Sequence, residues 1–172
     1  MSGVGEAPGT LVSHESGRKP KLAAVVYGQD GVVELYGPTS GELDLQRAGK
    51  QTWLEVVGAG DADTMRSLAT WLGWHSLACE DVLNLHQRPK VEDYDSHLFI
   101  VSSIVQEHAV EQVSLFIGPD YCVSFTPSPS SVFDPTRERL LHGRGRVRSE
   151  GADYLGYLLL DAVVDTYFGP VE

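Results

Sequence analysis

Long hydrophobic runs are missing from this chain. Nowhere in its 172 residues does an uninterrupted apolar stretch reach the length of about 18 that a membrane-spanning helix requires. The longest candidate, residues 154–164, is broken by Asp161. Positive charge is scarce too: 13 Lys and Arg stand against 24 Asp and Glu, for a net charge of −11. Such a field attracts cations and repels phosphate backbones, so nucleic acid is not an expected partner. Cysteine is limited to Cys79 and Cys122, far apart and with no C-x-x-C pair, which excludes a zinc ribbon. Each lies among apolar residues and is expected as a buried free thiol. The N-terminus, M-S-G-V-G-E-A-P-G-T, lacks a basic segment followed by an apolar one. No secretory signal is expected, and the chain as given is expected to be soluble.

Catalytic signatures are equally thin. There is no H-E-x-x-H, no Walker loop, and no Ser-His-Asp order with a glycine elbow. Hydrolase and NTPase chemistry have no positive support, and no enzyme is expected. The glycine loop Gly58-x-Gly60 follows a strand pattern, as a dinucleotide-binding turn would. The third glycine position holds Asp63, however, and a carboxylate there opposes a pyrophosphate at the helix N-terminus. The loop reads as the start of a helix capped by Asp61 or Asp63.

What the chain does have is a core. Hydrophobic residues make up 42%, with seven Tyr, five Phe and three Trp, enough for one folded domain. Residues 1–19 are rich in Gly, Ser and charge and read as a loose arm. Two strand patterns flank the G-Q-D-G turn at 28–31, and a third covers 52–57. A short helix fits between 37 and 49. Met65, Leu68, Ala69 and Leu72 recur at helical spacing, with Gly73 as the stop. Residues 75–85 read as a second, short helix that Pro89 cannot continue. Strands are expected at 97–105, 111–117 and 121–126, and helices at about 133–141 and 152–168, ended by Gly169-Pro170. Strands and helices without strict alternation give an α/β (α+β) class, a mixed sheet sandwiched between helices.

The segment 75–92, H-S-L-A-C-E-D-V-L-N-L-H-Q-R-P-K-V-E, holds the densest group of candidate ligands. Glu80 and Asp81 are adjacent, so on a helix they point about 100° apart. They read either as a solvated face or as oxygen ligands for a hard divalent cation. His75, Cys79 and His86 offer a weaker transition-metal alternative. A second acidic pair, Asp161 and Asp165, interrupts the apolar helix Y-L-G-Y-L-L-L-D-A-V-V-D-T-Y-F. An acid there needs a hydrogen bond, a cation or an interface to offset its cost. Arg137, Arg139, Arg144, Arg146 and Arg148 form a basic patch, expected to pair with the chain's own carboxylates, with a phosphate or RNA site as the alternative.

Residues 75–94 resemble the H-P-L-x-x-E-D-x-x-x-x-x-Q-R-P-K-x-E-x-Y signature of the CorA family of magnesium and cobalt transporters. Further matches follow in order: A-P-G-T-L-V at 7–12, T-W-L-E-V-V-G at 52–58, E-Q-V-S-L-F-I at 111–117, V-F-D-P-T-R-E-R-L at 132–140 and A-D-Y-L-G-Y-L-L-L-D-A-V-V-D-T-Y-F at 152–168. Ser76 replaces the usual proline, and Cys79 stands where an aliphatic is common.

The resemblance implies a CorA-type soluble domain over residues 20–172, the cytoplasmic regulatory part of a pentameric channel, cut before its stalk and transmembrane helices. It implies weak regulatory Mg²⁺, or Co²⁺, bound between subunits and holding the closed state. One site would use Asp81 against a stalk aspartate of the next subunit; the other would use Glu80 and Asp161. Zinc-transporting relatives share the architecture, so the ion stays open among Mg²⁺, Co²⁺, Zn²⁺ and Ni²⁺. The alternative is a stand-alone cytosolic module that reuses the fold.

Overall fold

The computed structural model describes residues 19–58 and 61–168. The expected arm at 1–19, apart from Lys19, and the helix stop at Gly169-Pro170 lie outside the described residues.

The chain opens with a hairpin, β1 (Lys21–Gly28) and β2 (Gly31–Tyr36), turning where G-Q-D-G predicts. Helix α1 (Ser40–Arg47) follows. It begins with a capping box, in which Thr39 accepts from the Glu42 N–H and Glu42 accepts from the Thr39 N–H. Strand β3 (Gln51–Val57) leads into α2 (Ala62–Leu72). Asp61 caps α2 by accepting from the Thr64 N–H, and Gly73 closes it in the left-handed conformation at φ 74°. A helix is thus found where Asp61 or Asp63 is expected to start one, with Asp61 as its cap. Helix α3 (Ser76–Leu83) precedes β4 (Lys90–Asp93), β5 (Leu98–Gln106), β6 (Ala109–Ile117) and β7 (Tyr121–Thr126). Helices α4 (Asp134–His142) and α5 (Ala152–Asp165) complete the fold.

Among the described residues the strands form one sheet in the order β2-β1-β3-β7-β6-β5-β4. The β3–β7 pair is parallel and the other pairs are antiparallel, so the sheet is mixed, as expected. Alternating side chains serve two cores. Leu54, Phe99, Phe116 and Val123 face α1, α2 and α3, meeting Leu43, Met65, Leu68, Ala78 and Val82. Their neighbours Trp53, Ile100, Leu115 and Cys122 face α4 and α5, meeting Leu140, Leu155, Leu159 and Val163. The sandwich therefore has α3 on one face of the sheet and α5 on the other. Both cysteines are buried and free, as expected.

Strand β4 is an addition to the strands expected from sequence. K-V-E-D has three charges in four residues, a pattern that suits an edge strand better than an interior one.

Candidate cation-binding surface

Helix α3 is short, and its neighbours hold it in place. Its first turn is capped by His75, whose Nδ1 accepts from the Leu77 N–H at 3.1 Å. Ala78, Cys79, Val82 and Leu83 face the core. Glu80 and Asp81 fall on the outward side of the helix, each half-buried. Beneath the helix start runs a column of rings. His75 stacks on Tyr94 at 4.9 Å, Tyr94 on His97 at 5.2 Å, and His97 tilts over Phe116 at 5.7 Å. Phe116 in turn stacks flat on Trp74 at 3.7 Å.

The end of α3 is tied to the sheet by Gln112, a buried residue of β6. Its Oε1 accepts from the Gln87 N–H at 2.9 Å, and its Nε2 donates to the carbonyls of Asp81 at 3.3 Å and Asn84 at 3.1 Å. All three bonds go to the backbone, so the buried amide is well satisfied. The chain then returns along β4. Lys90 and Glu92, two residues apart on a strand, share one face. The Lys90 ammonium donates to Asp81 at 2.5 Å and lies 2.6 Å from Glu92, and the Tyr94 hydroxyl donates to Glu92.

These contacts set the local protonation. Burial pulls the Lys90 ammonium down, but hydrogen bonds to Asp81 and Glu92 outweigh it and hold the group above its usual value. Glu92 is held below the carboxylate range by its bonds to Lys90 and Tyr94. Burial and the Glu92 bond push Tyr94 up to about 12. The surface thus centres on Lys90, held between Asp81 and Glu92, with the side chains of Asp81, Lys90 and Glu92 exposed by 19%, 31% and 35%.

Of the expected ligands, Glu80 and Asp81 lie together on α3, while Asp161 is exposed on α5 across the sheet. One copy of the chain does not bring the three together. Among the described residues, no three His, Cys, Asp or Glu side chains are grouped to hold a metal. The transition-metal alternative therefore lacks a site: His75 caps α3, His86 lies exposed in the following loop, and burial lifts the Cys79 thiol to about 11. Asp161 and Asp165 also need no internal partner, because they sit on the exposed face of α5 beside Tyr157. Lys90, Glu92 and Gln112 were not singled out from sequence. The i, i+2 spacing of Lys90 and Glu92 was the available signal, had residues 90–93 been read as a strand.

His97 gives a pH-dependent prediction. It is 4% exposed, its Nε2 has no partner, and burial followed by the charge of His75 lowers its pKa from 6.5. The unfolded chain then binds the proton more readily, so stability is full above pH 6.5 and falls as pH drops below it towards the folded value. Urea titrations at several pH values between about 5 and 7.5, above the range where carboxylates protonate, check this. His97→Gln is expected to flatten the dependence; an unchanged slope contradicts the assignment.

Among the described residues, no helix is long and apolar enough to cross a membrane. The family model described as "CorA-like Mg2+ transporter protein" matches residues 49–172. The cobalt/magnesium transport protein CorA of Thermotoga maritima is 39% identical over 136 residues, covering 76% of this chain and 39% of that protein. The soluble domain of CorA from Methanocaldococcus jannaschii has the same fold, with a TM-score of 0.58 at 13% identity over 84% of this chain and 56% of that one. So does the ZntB cytoplasmic domain from Vibrio parahaemolyticus, with a TM-score of 0.65 at 10% identity over 87% and 59%. The chain spans about two fifths of the length of its curated CorA relative. With the model match covering well over half of its residues, the chain belongs to the CorA-like Mg²⁺ transporter family.

Proposed function

We propose that this chain is the cytoplasmic, divalent-cation-sensing domain of a CorA-type Mg²⁺/Co²⁺ channel. Glu80, Asp81 and Asp161 would contribute to weak Mg²⁺ sites between copies, and bound cation would favour the closed pentamer. The observation that carries the reading is the placement of these acids on opposite faces of the sheet of a family member. Acids that one copy cannot converge on an ion become useful when a second copy or a further segment supplies the missing oxygens. Magnesium suits such a place. It is held through one or two carboxylates, keeps several waters, and at millimolar affinity gains only about 4 kcal/mol per site. Several such sites can bias a two-state assembly while remaining responsive to cellular Mg²⁺. The 39% identical relative is a cobalt/magnesium transporter, which favours those ions over zinc.

The test is sedimentation velocity and thermal unfolding across a Mg²⁺ series. At a net charge of −11, copies should repel at low Mg²⁺ and associate as it rises. Asp81→Asn, Glu80→Gln and Asp161→Asn should each weaken the response, with Asp81 mattering most. Wild-type protein showing no change in either association or melting temperature sinks the proposal.

A further inference from the structure

The five arginines between 137 and 148 do not share one fate. Arg137 pairs with Glu55 and with Asp134, as expected for a chain rich in carboxylates. Arg148 satisfies the C-terminal end of α4, donating to the carbonyls of Leu140 at 2.7 Å and Leu141 at 2.6 Å. The other three were expected to find carboxylates as well and do not: among the described residues, Arg139, Arg144 and Arg146 have no acid within ion-pair distance.

These three line one concavity of about 560 Å³, with Pro135, Val147 and Tyr154 as its apolar walls. Glu138 also lines it, a carboxylate whose oxygen stands 3.4 Å from His142 Nε2, so the three guanidiniums outnumber the one acid at the concavity. Arg146 Cζ lies over the Tyr154 ring, 5.3 Å from its centroid, a cation–π contact that holds the guanidinium at the concavity. Gly143 and Gly145 hold left-handed backbone at φ 64° and 68°, reversing the chain and placing Arg144 between them. Arg148 occupies the Leu140 and Leu141 carbonyls at the end of α4, so those two acceptors are already taken by one guanidinium.

We infer that this concavity binds a compact phosphate-bearing anion, a di- or triphosphate group held by Arg139, Arg144 and Arg146. Three guanidiniums sharing one concavity repel each other until an anion bridges them, and the guanidinium fork matches phosphate oxygens. The chain has 24 acidic residues, yet among the described residues none forms an ion pair with these three cations. A compact ligand fits where a long polyanion does not. Beyond about 8–10 Å, one Debye length, the acidic remainder of the surface repels an extended phosphate backbone.

The probe is inorganic pyrophosphate, titrated calorimetrically into the chain in low-salt, Mg²⁺-free buffer so that chelation gives no heat. Saturable binding at one site per chain is expected. Arg144→Ala with Arg146→Ala should weaken it by about tenfold or more. Lys21→Ala with Arg66→Ala removes the same charge from other exposed positions and should leave binding within about twofold. All four side chains are exposed, so both double variants should keep the wild-type urea midpoint. No saturable heat at millimolar pyrophosphate overturns the inference, as does equal weakening in the two double variants. Co-sedimentation with phosphatidylglycerol vesicles that needs Arg144 and Arg146, without pyrophosphate binding, also overturns it and assigns the arginines to a membrane surface.

Discussion

Replacing Trp74 with alanine is expected to lower the unfolding free energy by about 3–5 kcal/mol, the range for deleting a buried large aromatic. Trp74 is 7% exposed and stands between the end of α2 and the cap of α3. It lies flat on Phe116 at 3.7 Å and meets the edge of Phe125 at 6.0 Å. Its indole N–H donates to the Tyr121 hydroxyl at 2.9 Å. Alanine removes the contacts and leaves that buried hydroxyl without its donor. Trp74→Phe separates the two effects: it keeps a stacked ring, loses the hydrogen bond, and should cost about 1–2 kcal/mol. Urea denaturation reads both as a lower midpoint at unchanged slope. A midpoint for Trp74→Ala within about 1 kcal/mol of wild type contradicts this account.

The same substitution has a functional reach. Helix α3 has eight residues, fewer than the roughly 12 that even a good sequence needs to stay helical alone. Its order therefore comes from what it rests on, and Trp74 and the His75–Tyr94–His97 rings are that support. Amide exchange at Ala78 and Cys79 should accelerate in Trp74→Ala ahead of exchange in β3 and β7. Glu80 and Asp81 would then lose their fixed direction without being altered themselves.

Periodicity made most of the fold readable. The alternation of Trp53, Leu54 and Val56, and the helical spacing of Met65, Leu68 and Leu72, are local signals that tertiary packing reinforces. The strand order was not readable, because the parallel β3–β7 contact joins residues about 70 apart and no local pattern records it. At the candidate surface, motif likeness singled out Glu80, Asp81 and Asp161. It gave no sign that a lysine of the same motif neutralises one of them. Lys90 reaches Asp81 because Gln112 fixes the end of α3 against β6 and β4 returns beside it. That is a matter of three-dimensional return, invisible in spacing along the chain. The arginine patch misled in the other direction. Excess acid predicts pairing for every cation, yet a guanidinium pairs only with carboxylates it can reach, and among the described residues Arg137 is the one of the five that has them.

Lys90→Met is expected to destabilise the chain without divalent cations and to make it bind Mg²⁺ more tightly. The ammonium contacts Asp81 at 2.5 Å and Glu92 at 2.6 Å, so a cation seeking Asp81 competes with a tethered charge already in place. Methionine keeps the length and apolar stem of lysine and removes the competitor. Asp81 and Glu92 are then left facing each other with no charge between them. The side chains are partly exposed, so screening keeps the cost below that of a fully buried pair, at about 1–2 kcal/mol. Mg²⁺ should recover much of that loss by occupying the vacated position. Its apparent affinity should rise by about tenfold, equivalent to about 1.4 kcal/mol. Melting curves with and without Mg²⁺ read both effects, and their opposite signs distinguish displacement from simple loss of an ion pair. Asp81→Asn completes the cycle: if Lys90 acts through Asp81, adding Lys90→Met to Asp81→Asn should change Mg²⁺ affinity little. Weaker Mg²⁺ binding in Lys90→Met alone would mean that the lysine positions the carboxylates for the ion instead of holding their place until it arrives.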